Sequence, residues 1–301
     1  MHNEPLILGI PKGSLQELTL DLFSRAGFSF SGSGRSLWLS SNDPEIRPVL
    51  LKPQEIPWFV KNGTLDCGLS GLDWMTETEC MDQVRILADL CYSKRSFRPV
   101  RWVLAVPKEA KYETPADLEG KRISTELKKI TGDWLAGQRV VAEVDFSWGA
   151  TEAKVPHFAD AIVECTETGA SLAENGLRIL NTVFESTPQF FANKALYKTA
   201  GWKRTKLDGI ALLLRSCLNA DVKVRIQVRI QTAALPALRQ QLPDDAGVSS
   251  WQGDNNETLM EIIVNKEQSR ELIPRLAHQG AHRISVHALG ILYDEQVQLA
   301  P

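Results

Sequence analysis

The sequence lacks a large excess of charge of either sign. Its 301 residues carry 34 lysines and arginines against 37 aspartates and glutamates, which gives a formal net charge of −3. A chain this close to neutrality has no overall positive field that would attract nucleic acid or anionic lipid. We therefore expect neither a nucleic acid nor a membrane as a partner, and any anionic ligand must be held by local groups.

Long apolar runs and paired cysteines are also missing. No segment approaches the roughly 20 apolar residues that span a bilayer, and residues 1–5 lack the basic start of an export signal. The five cysteines are odd in number, widely spaced and without a C-x-x-C pair, which argues against a disulfide framework or a thiolate zinc site. The sequence thus predicts a cytoplasmic protein with free thiols.

The first two thirds of the chain alternate short apolar runs with helical patterns. Residues 6–10, 101–106 and 159–163 are such runs, each followed by a turn or a helix-start pattern. Regular alternation of this kind implies parallel sheets with helices on their faces. From about residue 215 the pattern changes, because residues 223–230 alternate charged and apolar side chains and two further strands and two helices follow. This predicts a β-α-β-β-α-β module of the ferredoxin-like type.

The strongest local signal is an apolar strand that runs into Thr168, Gly169, Ala170 and Ser171 and then into a helix. Glycine lets the backbone approach an anion closely, and the hydroxyls and the first N–H groups of the helix can donate to phosphate oxygens. No lysine completes the Walker A pattern G-x-x-x-x-G-K-[ST]. The same residues also suit a turn and helix cap without a ligand, so the local pattern leaves both interpretations open.

Six segments, spread over nearly the whole chain, form a recognisable series. They are residues 10–15 (IPKGSL), 54–57 (QEIP), 63–73 (GTLDCGLSGLD), 102–107 (WVLAVP), 149–152 (GATE) and 159–177. In their order and spacing they resemble the ATP phosphoribosyltransferase family, whose members join ATP to phosphoribosyl pyrophosphate at the start of histidine biosynthesis. The C-terminal module resembles the regulatory domain of the family's long form.

The resemblance implies an α/β fold with a bilobed catalytic core like a periplasmic binding protein, followed by a ferredoxin-like (ACT-like) α+β regulatory domain. The expected domains are residues 1–95 with 185–214 for the first catalytic lobe, 96–184 for the second, and 215–301 for the regulatory domain. ATP and phosphoribosyl pyrophosphate would meet with Mg²⁺ in the cleft between the lobes. Histidine is the expected inhibitor, and the chain is expected to form a homo-oligomer.

The resemblance also assigns site residues by position. For phosphoribosyl pyrophosphate these are Glu164, Glu167, Thr168, Gly169, Ala170 and Ser171. For ATP they are Lys12, Gly13, Lys52, Asp73 and Glu152. Two positions depart from the usual pattern, because Glu164 replaces an aspartate and Ser14 stands where many members have arginine. Lys12 can supply a positive charge there, but not the bidentate recognition that arginine provides.

The implied reaction is displacement of pyrophosphate from C1 of the sugar by N1 of adenine, which needs no protein nucleophile. We therefore expect no catalytic side chain, and we expect Mg²⁺ to be held mainly by substrate phosphates rather than by a dedicated metal motif. Among the tryptophans, Trp148 is the candidate cleft residue. The rival hypothesis is a non-catalytic small-molecule binding protein on the same bilobed scaffold, since a fold does not fix chemistry.

Overall fold

The computed structural model describes residues 4–32, 36–91, 99–199, 201–253 and 255–293. These residues form two compact units, whose boundary lies between Ala211 and Leu212. The first unit contains two five-stranded sheets and the second contains one four-stranded sheet. No helix among the described residues is both long enough and apolar enough to cross a membrane.

The strands and helices follow one another closely along the chain. The strands are β1 (Leu6–Pro11), β2 (Phe30–Ser31), β3 (Ser40–Ser41), β4 (Ile46–Leu51), β5 (Cys67–Gly71), β6 (Val84–Asp89), β7 (Val100–Pro107), β8 (Arg122–Thr125), β9 (Glu143–Phe146), β10 (Ala161–Thr166), β11 (Leu177–Ser186), β12 (Pro188–Asn193), β13 (Lys223–Gln231), β14 (Gly247–Gln252), β15 (Glu257–Asn265) and β16 (Arg283–Ala288). The α-helices are α1 (Gln16–Arg25), α2 (Glu55–Lys61), α3 (Leu72–Glu77), α4 (Lys128–Gly137), α5 (Ala170–Glu174), α6 (Lys194–Thr199), α7 (Gly201–Val222), α8 (Leu235–Arg239) and α9 (Lys266–His278).

The first sheet has the strand order β4-β1-β5-β12-β6, and with its helices we call it the first lobe. Strand β1 pairs in parallel with β4 and β5, while β12 runs antiparallel to β5 and β6. Leu6, Leu8 and Ile10 of β1 are buried on one face and Gly9 and Pro11 on the other, as expected of a parallel strand covered on both faces. Ile56 and Val60 of α2 pack over the sheet and complete this part of the core.

The second sheet has the order β11-β7-β10-β8-β9, and with its helices we call it the second lobe. Strands β8, β9 and β10 run parallel to one another, whereas β7 is antiparallel to both β10 and β11. Ile130 and Leu135 of α4 pack on Leu104 and Val163 of the sheet. The expectation of parallel sheets is therefore correct for only part of each sheet, because the chain passes twice between the lobes and each passage introduces antiparallel strands.

The second unit is built on an antiparallel sheet with the order β14-β15-β13-β16. One face of β13 and β15 is apolar and packs against α8 and α9, with Ile226, Val228 and Ile262 fully buried. The chain order of strands and helices is β-α-β-β-α-β, which is the order predicted from the change to period two in the sequence.

Candidate active site

In the first lobe, three predicted site residues follow the ends of parallel strands. Lys12 follows β1, Lys52 follows β4, and Asp73 lies in the first turn of α3 after β5. The ends of β1 and β4 are adjacent, since the Lys12 N–H donates to the Leu51 carbonyl at 2.8 Å. Ligands of open α/β sheets bind at the carboxyl ends of the strands, so the topology brings these residues to one edge.

The same rule places the site residues of the second lobe. Strands β8, β9 and β10 are parallel, and their carboxyl ends lead into Glu126, the 147–152 loop and Glu167. The ends of β8 and β9 are adjacent, because the Ser147 N–H donates to the Thr125 carbonyl at 2.7 Å. The second lobe therefore presents a row of acidic side chains at the edge where its parallel strands end.

A cleft of about 390 Å³ lies where these two edges meet. Three of the predicted site residues line it, namely Asp73, Glu164 and Glu167. Its other lining residues are Ser14, Leu15, Pro53, Gln54, Gly71, Trp74, Val100, Trp102, Glu126, Cys165, Thr166, Ser186, Thr187 and Pro188. The cleft is thus bordered by segments directly following Gly13 and Lys52, and it contains four carboxylate side chains.

The predicted phosphate loop forms a tight turn between β10 and α5. Gly169 has φ +81°, in the left-handed region that favours glycine, and its N–H donates to the Thr166 hydroxyl at 2.7 Å. The Thr168 hydroxyl accepts a longer bond of 3.4 Å from the Ala170 N–H. Thr168 and Ala170 are exposed. The turn is therefore ordered by its own hydroxyls while its outer surface faces solvent.

Glu152, assigned to the nucleotide by resemblance, lies against this loop. The Ser171 hydroxyl donates to the Glu152 carboxylate at 3.1 Å. Glu152 belongs to a short 3₁₀ turn, Thr151–Lys154, that follows Gly149 and a left-handed Ala150. The structure thus groups Glu152 with the predicted sugar-phosphate residues of the second lobe, whereas Lys12, Gly13 and Lys52 lie on the first lobe.

Asp73 is a buried residue that lines the cleft. Its carboxylate accepts hydrogen bonds from the Trp102 indole N–H at 2.6 Å and from the Trp74 backbone N–H at 2.8 Å. Burial raises the pKa of the Asp73 carboxyl, while the bonds from Trp102, Trp74 and Ser186 act in the opposite direction. A Cβ on Gly71 would lie 2.1 Å from an Asp73 oxygen, so only glycine fits there. Because both oxygens are already bonded, Asp73 joins the two lobes rather than presenting an open carboxylate.

Glu164 and Cys165 lie in the acidic wall of the cleft. Burial raises the pKa of the Glu164 carboxyl, and the charges of Glu152 and Glu126 add to this, against bonds from Thr151 and the Cys165 N–H. Desolvation within the cleft and the surrounding carboxylates, Asp73 first among them, raise the pKa of the Cys165 thiol to about 12. The folded protein therefore holds a proton on Glu164 more tightly than an unfolded chain would.

We expect Glu164→Gln to raise the melting temperature of the ligand-free protein at pH 7.5. The folded state holds the Glu164 proton more tightly than the unfolded state does. The contribution of Glu164 to the free energy of unfolding therefore falls as the pH rises from the ordinary carboxyl pKa through the raised pKa of the folded state. The gain should shrink towards pH 4. Calorimetry at both pH values measures it, with exposed Glu174→Gln as the control. An equal gain at both pH values would contradict the charge argument.

The tryptophan expectation is wrong. Trp148 is 93% exposed, packs edge-on against Phe146 and is not among the residues that line the cleft in the described chain. Trp102, only 3% exposed, and Trp74 line it instead, with ring centroids 6.0 Å apart. Trp102 stands opposite Cys165 in the register of β7 and β10. This pairing joins two strands that are distant in sequence. The residues next to Trp102 in the sequence therefore do not indicate that it lines the cleft.

The described residues contain no group of three or more histidine, cysteine, aspartate or glutamate side chains arranged to hold a metal ion. In the cleft, both oxygens of Asp73 accept N–H donors and one oxygen of Glu164 accepts the Cys165 N–H. Mg²⁺ prefers oxygen ligands and keeps waters and phosphates in its shell. The carboxylates that line the cleft would therefore suit an ion that arrives already bound to substrate phosphates, and such an ion would supply positive charge there.

Comparison with known proteins supports the resemblance noted in the sequence. A family model described as ATP phosphoribosyltransferase matches residues 52–216. The ATP phosphoribosyltransferase of Chlorobaculum parvum is 46% identical over 299 residues, covering 97% of this chain and 99% of that protein. The one from Thermodesulfovibrio yellowstonii is 44% identical over 282 residues, covering 93% and 96%.

One solved structure is similar in both fold and sequence. The ATP phosphoribosyl transferase (HisG:HisZ) complex from Thermotoga maritima matches with a TM-score of 0.58 and 25% identity, over 70% of this chain and 98% of that one. The mixed α/β fold is thus that of a transferase family. The chain belongs to the ATP phosphoribosyltransferase family, and its length fits the long form.

Proposed function

We propose that this protein transfers the phosphoribosyl group of phosphoribosyl pyrophosphate to N1 of the adenine of ATP, the first step of L-histidine biosynthesis. The observation that carries the proposal is the cleft, where the strand ends of both lobes meet, in a chain 46% identical over 97% of its length to a protein named for this activity. The products would be phosphoribosyl-ATP and pyrophosphate.

In the proposed reaction, N1 of adenine forms a bond to C1 of the ribose while the bond from C1 to pyrophosphate breaks. The electron pair leaves with pyrophosphate, and positive charge develops on the sugar. The carboxylates of Glu126 and Glu164 line the cleft and would stabilise that charge. Glu164 would also accept hydrogen bonds from the ribose hydroxyls. The protein needs no nucleophile, since its contribution is positioning and electrostatics.

The substrates carry many negative charges, and none of the described residues lining the cleft is lysine or arginine. Lys12 and Lys52 are exposed at the adjacent strand ends of the first lobe, and we assign the triphosphate of ATP to them and to Gly13. The 5′-phosphate of the sugar is assigned to residues 168–171 at the start of α5. When bound, Mg²⁺ would offset the charge of the pyrophosphate.

The second unit is proposed to be an ACT-like regulatory domain that binds histidine as an inhibitor within a homo-oligomer. Its β-α-β-β-α-β order and its single antiparallel sheet support this assignment. Feedback of this kind requires that histidine bind one conformational or assembly state more tightly than another. The bilobed core is proposed to resemble periplasmic binding proteins, in that two lobes connected by crossing segments enclose the ligands.

The direct test mixes the purified full chain with ATP, phosphoribosyl pyrophosphate and Mg²⁺. Phosphoribosyl-ATP, identified by mass spectrometry, should accumulate together with an equal amount of pyrophosphate, and L-histidine should slow both. Omitting either substrate is the control. No product above background, together with binding of an unrelated solute, would instead select a non-catalytic binding protein on this scaffold.

A further inference from the structure

Helix α4 begins at the cleft edge of the second lobe without a cap of its own. The side chain of its N-cap residue, Leu127, makes no hydrogen bond to the first turn, and that turn contains no acidic residue. Lys128 and Lys129 instead place two positive charges at the helix end where the backbone dipole is already positive. The local sequence therefore starts this helix poorly, and other groups must satisfy its first N–H donors.

The missing cap comes from the first lobe. Glu77, the last residue of α3, accepts the Lys129 N–H at 2.8 Å with one carboxylate oxygen and the Ile130 N–H at 3.0 Å with the other. Glu77 lies some fifty positions earlier in the chain and is half-buried. The Leu127 N–H is satisfied within the second lobe, by the buried Thr125 hydroxyl at 3.0 Å. Two of the first donors of α4 thus depend on Glu77.

The segment held in this way carries a cleft residue. Glu126 lies between the end of β8 and the start of α4, and it lines the cleft. From the first lobe, the Gln54 amide contacts its carboxylate only at 3.5 Å, which is a weak hydrogen bond. Thr125 on one side and the capped first turn on the other therefore fix the backbone from which Glu126 projects.

We propose that Glu77 is a positioning residue of the transfer reaction: its cap on α4 holds Glu126 in the cleft, where the Glu126 carboxylate contacts the sugar pyrophosphate. The inference rests on the proposed function, because it assigns Glu126 to a substrate of that reaction. Glu126 would accept hydrogen bonds from ribose hydroxyls or from the water ligands of the accompanying Mg²⁺, so its loss or displacement weakens sugar pyrophosphate binding.

A double-mutant cycle on the full chain tests this. Glu77→Ala and Glu126→Ala should each raise KM for phosphoribosyl pyrophosphate about tenfold, within the range shown by coupled neighbours. In the double variant the rise should stay about tenfold, because Glu77 acts through Glu126. KM for ATP should change much less. If Glu77→Ala does not fold, Glu77→Gln replaces it in the same cycle, since the amide retains only one acceptor for the two N–H groups.

Glu79→Gln is the matched control. Glu79 lies in the same segment and contacts the Lys129 ammonium at 3.5 Å, but not the backbone of α4. Its substitution should alter KM by less than about twofold, as expected for an exposed ion pair. Amide hydrogen exchange at Lys129 and Ile130 should accelerate in the Glu77 variant and not in this control.

The outcomes separate the two proposals. If the wild-type chain shows no turnover, both the proposed function and this inference are wrong. If the wild type is active and the Glu77 variant keeps its KM, or the losses from Glu77 and Glu126 multiply in the double variant, only the positioning role is overturned. A purely structural role would lower the melting temperature and the active fraction without changing KM.

Discussion

Gly169→Val should weaken binding of phosphoribosyl pyrophosphate at least tenfold more than binding of ATP. Gly169 has φ +81°, where a residue with a Cβ costs roughly 1–2 kcal/mol and a β-branched one more. A Cβ would also lie 3.2 Å from the end of the Ile179 side chain. The turn must therefore shift, and with it the N–H groups assigned to the 5′-phosphate. Titration calorimetry with each substrate separately measures both dissociation constants.

The control for Gly169→Val is the same substitution at Gly209. That glycine is exposed in α7 and is far from any site residue in sequence. Apart from its chain neighbours and the backbone of the helix itself, no atom among the described residues lies within 4 Å of the position that a Cβ would take there. The affinity of this variant for both substrates should match the wild type. Equal weakening for ATP and the sugar pyrophosphate at position 169 would indicate general misfolding and count against the phosphate loop.

Lys203→Met should lower the free energy of unfolding by about 2–4 kcal/mol, because it leaves a nearly buried carboxylate without its cation. The Lys203 ammonium bonds both oxygens of Asp66 at 3.0 Å, and the side chains are only 18% and 11% exposed. Asp66 also accepts the Ile7 N–H of β1 at 2.8 Å. The pair thus ties the start of α7 to the central strands of the first lobe. Urea unfolding measures the loss.

The companion variants show whether the loss comes from the unpaired charge. Asp66→Asn in the Lys203→Met background should recover part of the stability, since no charge is then left buried. Lys198→Met removes a lysine that is a few residues away and should have little effect. A Lys203 variant as stable as the wild type, or a double variant that loses the sum of both single effects, would contradict this account.

Much of the core could be predicted from the sequence because its signals are local. The apolar run at residues 6–10 and the turn around Gly169 each contain the whole pattern that determines them, and both lie in the structure where they were expected. The family resemblance was confirmed over nearly the full chain. The assigned roles of the site residues stay predictions, although topology brings Asp73, Glu164 and Glu167 to one cleft.

What the sequence did not reveal depends on pairing between distant segments. Trp102 lines the cleft because β7 pairs with β10, and Glu126 lines the cleft because it directly follows β8, which also pairs with β10. The residues next to them in the sequence therefore do not indicate that either one lines the cleft. The antiparallel strands of the two lobes escaped prediction for a similar reason, since an apolar run indicates that a strand is buried but not in which direction it runs. The cap on α4 comes from Glu77 in the other lobe, which no local helix-start pattern would indicate.

Desolvation of the Cys165 thiol, together with the carboxylates around it, makes this cysteine resistant to oxidative conditions. With a pKa of about 12, the thiol stays protonated at any pH a cell experiences. Peroxides and alkylating agents attack the thiolate form, so this sulfur is a poor target even though it borders the cleft. Desolvation first, and the neighbouring negative charges second, thereby protect the only cysteine among the described cleft-lining residues from oxidation and alkylation.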